Sequence, residues 1–231
     1  MRLFFDSNIN MSDTHSMSAE ESKHIIRVLR MNTGDTIGIL DGTGNQFICE
    51  ITEANPKECI VSIKEKQVFP KPSPSIHIAV GPTKQMDRLE WFLEKATEIG
   101  ITEITLFTSN NSERIKLNEE RLQKKLISAM KQSKRYFLPK LNALVSFEEL
   151  LKKHPFGLIA HCSDGQKEGI VKYNNAVNGP VLIGPEGDFS EQEIQMALDQ
   201  GYKAITLGDN RLRTETAALY ACMQLKFLSE L

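Results

Sequence analysis

The sequence predicts a small β-barrel domain followed by an α/β domain with a mainly parallel sheet. The first seventy residues contain short apolar segments separated by tight turns, whereas the remainder alternates strand-like and helix-like segments. Between them lies FPKPSPS, residues 69–75, whose three prolines can continue neither a helix nor a sheet. We therefore place the barrel domain at residues 1–69 and the α/β domain at residues 76–231.

The first domain is predicted from short β elements and one early helix. The turn DGTGN is a glycine-rich hairpin signal between two apolar segments, and a third segment alternates apolar and polar side chains after the turn NPK. The helix opens with Ser18 and has Glu21 three residues later, which is the pattern of a capping box. The predicted strands are residues 35–40, 46–52 and 58–65, and the predicted helix is residues 18–30.

The second domain alternates strands and helices, which predicts a mainly parallel sheet. A helix over residues 85–100 stops at Gly100, and a helix over residues 190–201 opens with a second capping box, Ser190 and Glu193. The predicted strands are IHIAVGP, ITEITLFT, FGLIAHC, GPVLIG and KAITLG. The two remaining helices are NEERLQKKLISAMKQSKR and TETAALYACMQLKFLSEL.

Composition favours a globular protein of the cytoplasm. A hydrophobic content of 40% and a charged content of 25% are ordinary for such proteins. The amino-terminal stretch lacks the apolar region of a signal peptide, and no run approaches the roughly 18 apolar residues of a membrane span. The four cysteines show no CxxC spacing, which predicts reduced, mostly buried thiols and no metal site.

Charge is unevenly distributed along the chain. The segment from Arg114 to Lys140 carries nine basic and two acidic residues, a net charge of +7, so the rest of the chain carries −9 of the total of −2. A local basic surface on an otherwise acidic protein suits a polyanionic partner. The alternative is a helix face that is simply solvated.

Three late strands run into polar, partly glycine-rich loops: HCSDG, GPEGD and GDNRLR. Ligands of open parallel sheets bind beyond the carboxyl ends of the strands. The loop GPEGDFS lacks the lysine of a P-loop, and its carboxylates would repel a polyphosphate. A neutral or cationic ligand suits these loops better, and S-adenosylmethionine with its positive sulfonium is one such ligand. The alternative is that all three are merely tight turns.

The pair IGPEGDFS and LGDNRLRTETA resembles the carboxyl-terminal signature of the SPOUT methyltransferases. Within that class the chain is most similar to the family that methylates uridine N3 in small-subunit (16S) ribosomal RNA (RsmE-like). Weaker matches are HIIRVLRMNTGD, EKATEIG, SER and KQSKR, and Asp188 stands where the family usually has a second glycine.

This resemblance implies a PUA-like β-barrel RNA-binding domain and a knotted SPOUT-type α/β methyltransferase domain. It also implies S-adenosyl-L-methionine as cofactor, ribosomal RNA or the small ribosomal subunit as partner, and a homodimer with each active site near the subunit interface. Two other functions stay open at this point. One is a transfer RNA ribose 2′-O-methyltransferase of the same fold, and the other is a non-catalytic RNA-binding ribosome assembly factor.

By the same resemblance the cofactor lies among the three late loops, held mostly by backbone and by apolar walls. His161 has a second interpretation, as a strand-end residue whose ring is satisfied by the protein. The expected cofactor-binding residues are His161, Ile183, Gly184, Gly187, Leu207, Gly208, Asp209, Asn210, Arg211 and Leu212.

Arg213 and Glu215 are the candidate catalytic residues. Uracil N3 must lose a proton, and a fixed guanidinium would stabilise the anion that forms on the flanking carbonyl oxygens. Arg213 follows the cofactor loop directly, although it could instead form a salt bridge with Glu215 or another carboxylate. Glu215 falls in the first turn of a helix, where the dipole favours its ionised form and makes it a weak base. Orienting the turn or a partner arginine suits it better.

Contacts to RNA phosphates are expected from the basic segment and from the barrel domain. Such contacts position RNA without reading its sequence. Arg27 and Arg30 stand three residues apart on one predicted helix and would share a face. Each candidate has the alternative of a solvated charge. The candidates are Arg2, Arg27, Arg30, Lys131, Lys134 and Arg135.

Overall fold

The computed structural model describes residues 1–173 and 179–230. It divides into two compact units. The first unit comprises Met1–Lys71 together with Met130–Leu138, and the second comprises Pro72–Ala129 together with Pro139–Leu231. The proline-rich stretch thus marks a division, but the first unit also includes a segment from much later in the chain.

The first unit is built on a curled five-stranded sheet with the order β1-β3-β4-β5-β2. β1 pairs with β3 in parallel, and the other pairs are antiparallel. The predicted hairpin and its three strands are confirmed, while β1 and β2 had no specific prediction. Ile37, Ile39 and Phe47 point into a buried apolar core. The strands are β1 (Arg2–Phe5), β2 (Thr14–Ser16), β3 (Thr36–Leu40), β4 (Asn45–Glu53) and β5 (Ile60–Val68).

The early helix is shorter than predicted and changes type. Helix α1 covers Ala19–Lys23, and a π-helix continues over His24–Val28. The Ser18 hydroxyl accepts a hydrogen bond from the Glu21 amide at 3.3 Å, as expected of the cap. Arg30 lies beyond the helix with a left-handed φ of 55°. The expectation that Arg27 and Arg30 share a helix face is therefore wrong.

The later segment of the first unit docks on the β3–β4 hairpin. The Tyr136 ring stacks on Phe69 with centroids 3.4 Å apart, and the Tyr136 carbonyl accepts a hydrogen bond from the Gly44 amide at 3.0 Å. A Cβ on Gly44, whose φ is 101°, would lie 2.3 Å from the Phe137 ring. Glycine at this position thus serves both the left-handed turn and the close approach of the segment.

The second unit holds a seven-stranded sheet with the order β10-β12-β9-β11-β6-β7-β8. Every strand pairing in it is parallel, which confirms the prediction of a mainly parallel sheet. The knot implied by the resemblance stays a prediction. The strands are β6 (His77–Val80), β7 (Glu103–Thr108), β8 (Lys140–Ser146), β9 (Leu158–Ala160), β10 (Glu168–Gly169), β11 (Val181–Ile183) and β12 (Lys203–Thr206).

Five α-helices and a short 3₁₀ helix join these strands in the described part of the chain. The predicted capping box of α5 is formed, since Ser190 and Glu193 make both reciprocal bonds. Gly100 and Gly201 end α2 and α5 in the left-handed conformation. Leu231, which ends the predicted last helix, lies outside the described residues. The helices are α2 (Met86–Ile99), α3 (Glu119–Gln132), α4 (Phe147–Lys153), the 3₁₀ helix (Ile170–Tyr173), α5 (Glu191–Gln200) and α6 (Thr214–Leu228).

A polar cluster lies at the amino ends of the central strands. His77 opens β6, is buried, and has its Nε2 2.8 Å from the Thr105 hydroxyl. Its ring packs edge-on against His154, with centroids 5.0 Å apart. Burial lowers the pKa of His77 to about 4; the nearby Glu103 carboxylate opposes this shift, while His154 and Lys140 add to it.

This depressed pKa predicts an acid-sensitive stability. The neutral form of His77 is favoured in the folded state, so its contribution is complete above pH 6.5 and is lost as the pH falls from 6.5 to about 4. Over that window the free energy of unfolding should fall by about 3 kcal/mol more in the wild type than in His77→Gln. Urea unfolding at pH 7.5 and pH 4.5 measures the difference. Parallel pH profiles for the two proteins would contradict the assignment.

Candidate functional site

Three neighbouring strands of the second unit end at one edge of the sheet. β9 lies between β12 and β11, and Ala160 is level with both Ile205 and Ile183. Because the strands are parallel, the segments that follow them emerge side by side. We call these segments the β9 loop (161–167), the β11 loop (184–190) and the β12 loop (207–213). The predicted clustering of the three loops is confirmed.

The loops enclose a cavity of about 760 Å³, within the roughly 300–1,000 Å³ typical of small-molecule sites. Every predicted cofactor contact except Gly187 lines it, and so does Arg213. Lining residues that were not among the expected cofactor contacts include Cys162, Lys167, Glu186 and Asp188. The binding roles of all these residues stay predictions.

The three loop glycines serve different purposes. Gly208 has a left-handed φ of 115°, and a Cβ there would meet no atom within 4 Å. A Cβ on Gly184 would lie 3.2 Å from the Asp188 backbone, and a Cβ on Gly187 would lie 2.8 Å from the Asn111 Cβ. The left-handed backbone therefore favours glycine at position 208, whereas close packing favours glycine at positions 184 and 187. Gly187 packs against Asn111 and is not among the lining residues, and its predicted contact with the cofactor stays a prediction.

Residues outside the three loops hold the β11 loop in place. The Lys84 amide donates to the Glu186 carboxylate at 2.9 Å, and the Arg114 guanidinium donates to the Lys84 carbonyl at 2.5 Å. A Cβ on Gly81 would lie 2.7 Å from the Pro185 nitrogen, so the end of β6 approaches this loop closely. Sequence reasoning missed these supports, because the contacts join residues far apart in the chain.

His161 lines the cavity, but one of its ring nitrogens is enclosed by the protein. Its Nδ1 is buried and has no hydrogen-bond partner among the described residues. Burial foremost, and then the Lys167 charge, lower the pKa of His161, so the ring is neutral near pH 7. The Lys167 ammonium donates to the carbonyls of His161 and Ser163 at 2.8 and 2.7 Å. The described residues therefore leave Nδ1 without a hydrogen bond. This differs from the second interpretation of His161, in which the protein satisfies the ring.

The two candidate catalytic residues occupy different environments. Arg213 is exposed at the cavity and precedes the first residue of α6. Glu215 is buried, does not line the cavity, and lies 3.8 Å from Nε of Arg88 on α2. The carboxylate therefore pairs with Arg88 rather than with Arg213. The expectation that Glu215 orients the turn or a partner arginine stays a prediction.

All six candidate RNA contacts belong to the first unit. Arg2, Arg27 and Arg30 are exposed, and Lys134 is exposed with a left-handed φ of 55°. Lys131 differs, because its ammonium lies 2.7 Å from the Glu21 carboxylate and its side chain is 22% exposed. Arg135 is half-buried.

The described residues form neither a metal centre nor a membrane-spanning helix. Across residues 1–173 and 179–230, no three or more His, Cys, Asp and Glu side chains are grouped so as to hold a metal ion. None of the helices in those ranges is long and apolar enough to span a membrane. All four cysteines are free, with Cys49, Cys59 and Cys222 buried and Cys162 exposed.

Two family models match the chain. The model for an RNA methyltransferase domain matches residues 70–226, and the model for an RNA methyltransferase PUA domain matches residues 18–64. The matched ranges correspond to the parallel-sheet unit and to the curled-sheet unit. The fold, the loop cavity and these models define the class as RNA methyltransferases with an amino-terminal PUA domain.

Similarity to individual proteins identifies the family within this class. The ribosomal RNA small subunit methyltransferase E of Bacillus subtilis is 30% identical over 96% of this chain and 93% of its own length. A probable rRNA-methyltransferase from Porphyromonas gingivalis has a TM-score of 0.91 and 38% identity over 100% of this chain and 99% of its own. The methyltransferase E of Neisseria gonorrhoeae, solved with bound S-adenosyl methionine, has a TM-score of 0.86 and 27% identity over 99% and 98%. This chain belongs to the ribosomal RNA small subunit methyltransferase E family.

Proposed function

We propose that this protein transfers the methyl group of S-adenosyl-L-methionine to N3 of a uridine in small-subunit ribosomal RNA. The observation that carries the proposal is the cavity formed by the β9, β11 and β12 loops at the carboxyl edge of the parallel sheet. The Neisseria gonorrhoeae relative, solved with S-adenosyl methionine, supports the same ligand here. The cytoplasm, where ribosomal RNA is processed, is the expected location.

The residues around the cavity fit this cofactor. Ile183, Leu207 and Leu212 offer apolar walls for an adenine ring, and the cavity remains open beside Gly208. His161, which follows β9, also lines the cavity. When bound, S-adenosylmethionine supplies an electrophilic methyl group.

Carboxylates in the lining fit the positive charge of the donor. Glu186 and Asp209 belong to the lining, and opposite charges attract strongly where water is partly excluded. Lys167, Arg211 and Arg213 line the cavity as well, and the Lys167 ammonium is held by the carbonyls of His161 and Ser163.

Arg213 acts on the base in the proposed mechanism. Uracil N3 loses its proton to solvent at the open side of the cavity, which leaves negative charge on the two flanking carbonyl oxygens. The Arg213 guanidinium stabilises that charge from its exposed position at the cavity, as preorganised donors do for other oxyanions. Glu215 is a positioning residue that holds Arg88, and with it the packing of α2 on α6, since it is buried away from the cavity.

The function and the role of Arg213 are tested together in cells that lack this protein. We expect N3-methyluridine to disappear from their ribosomal RNA and to return with the wild-type gene but not with Arg213→Ala. The purified variant should lose about 10²–10³-fold in kcat yet bind S-adenosylhomocysteine normally, because it lacks only a transition-state contact. Lys203→Ala, at the amino end of β12, is the control. Nucleoside mass spectrometry and calorimetry provide the readouts.

Two results would contradict this assignment. Methyluridine that persists in the deletion strain would exclude the uridine target. Normal turnover by Arg213→Ala would remove that residue from the mechanism.

Exposed cations of the first unit hold RNA phosphates in this proposal. Arg30 and Lys134 both adopt a left-handed backbone, which glycine adopts more easily. A cation in such a position supports a role for its charge. Lys131 contributes less, because Glu21 already neutralises it.

Salt dependence tests this RNA surface. Changing Arg27, Arg30 and Lys134 together to Ala should make the plot of log K against log salt shallower by about two, since each lost phosphate contact removes roughly 0.7. Fluorescence anisotropy with a fragment of small-subunit ribosomal RNA measures the slope. The control removes the same charge from the same unit by changing Lys57, Lys64 and Lys71. Equal slopes for the two triple variants would contradict the surface.

Helix α6 supports the homodimer that we also propose. Tyr220, Met223 and Phe227 are 43%, 51% and 62% exposed and recur at helical spacing on one side of α6. A face of large apolar side chains is typical of a protein interface. A second copy of this chain is the occupant we assign to it.

Mass measurement tests the dimer. Light scattering should give twice the 26.1 kDa of the chain for the wild type and the mass of one chain for Met223→Glu combined with Phe227→Glu. Phe156→Glu, at a 49% exposed apolar side chain elsewhere in the second unit, should leave the dimer intact. A monomeric wild type, or a dimeric double variant, would contradict the assignment.

A further inference from the structure

Asp188 combines an unusual backbone with a fully engaged carboxylate. It ends the tight turn of the β11 loop, where its amide donates to the Pro185 carbonyl at 2.9 Å, and its φ is 59°. Glycine adopts this left-handed conformation most easily, while aspartate tolerates it when its side chain bonds locally. Asp188 Oδ1 makes such a bond by accepting from the Phe189 amide at 2.9 Å.

The second oxygen of Asp188 reaches another loop. Oδ2 accepts a hydrogen bond from the Cys162 amide at 2.7 Å, so the carboxylate joins the β11 loop to the β9 loop across 26 residues of sequence. Burial foremost, and then the Asp188 carboxylate, raise the pKa of the Cys162 thiol, which fits a second contact between the same two residues. Glycine at position 188 would keep the turn but lose both links.

The β11 side of this link is anchored in the core. Phe189 is 5% exposed and packs parallel to Phe107, with centroids 5.9 Å apart. Nδ2 of the Asn111 side chain donates to the carbonyls of Gly187 and Asp188 at 3.0 and 3.1 Å. Asp188 therefore reaches from a fixed loop towards the β9 loop, in which residues 162–166 are exposed.

We propose that Asp188 is a positioning residue of the cofactor site. Its carboxylate holds the β9 loop, and with it the cavity-lining His161, against the β11 loop in the conformation that accepts the cofactor. This rests on the proposed function, because that function assigns S-adenosylmethionine to the cavity. Ordering the loop before binding removes an entropic cost that the cofactor would otherwise meet.

The test compares three variants of the full chain. Asp188→Gly keeps the left-handed turn and removes both carboxylate links. Asp188→Asn also tolerates that backbone and keeps one acceptor oxygen, so it serves as the conservative rescue. Asp164→Gly, in the same loop and exposed, is the matched control. Hydrogen exchange at the Cys162 amide, calorimetry with S-adenosylhomocysteine and steady-state kinetics with S-adenosylmethionine supply the readouts.

In Asp188→Gly we expect the Cys162 amide to exchange at least about tenfold faster, because its acceptor is lost. The affinity for S-adenosylhomocysteine should fall about tenfold and the KM for S-adenosylmethionine should rise similarly, since a charged hydrogen bond that orders the loop is missing. The kcat at saturation should stay within about twofold of the wild type, because no contact to the reacting atoms has changed. Asp188→Asn should lie between, and Asp164→Gly should match the wild type.

Other outcomes overturn the proposal. Unchanged affinity in Asp188→Gly would show that the link does not position the site. A fall in kcat with an unchanged KM would give Asp188 a different role. Loss of binding together with a lower melting temperature in both Asp188 variants would show that Asp188 only stabilises the fold. If the wild type itself binds no S-adenosylhomocysteine, the proposed function fails and the positioning role fails with it, whereas an error about Asp188 alone shows only in the variants.

Discussion

Parallel pairing of β12, β9 and β11 is the constraint on which the rest of the site depends. Three strands that run side by side in one direction must release their next residues at one edge. Segments separated by up to about fifty residues of sequence thereby become walls of one cavity. Each loop then needs only the local interactions that fix its own conformation at that edge.

The parallel sheet and the clustering of the loops could be predicted from sequence, because both follow from local patterns. Alternating strands and helices, the Ser190–Glu193 capping box and the glycine stop at Gly100 are all encoded within a few residues. β8 and α4 had no prediction, although Ser146 and Glu149 form a capping box that signals the start of α4. The packing of Gly187 against Asn111 could not be predicted, because the two residues are distant in sequence.

Charged side chains were the hardest to place from sequence alone. The partner of Glu215 is Arg88 and the partner of Lys131 is Glu21, and neither pair could be read from spacing. Spacing also failed for Arg27 and Arg30, because the helix changes to a π-helix and ends at Val28. Charge pairing depends on tertiary proximity, whereas a helix cap depends on neighbours three residues away.

The docking of residues 130–138 on the hairpin turn around Gly44 has a consequence for the order of events during synthesis. The amino-terminal sheet leaves the ribosome early, but the ring that covers Gly44 belongs to Phe137. When a nascent chain has emerged only as far as the proline-rich stretch, the turn around Gly44 is therefore still uncovered. Completion of the first unit must wait until more than sixty further residues have been translated, so assembly of the two units is interleaved in time rather than sequential.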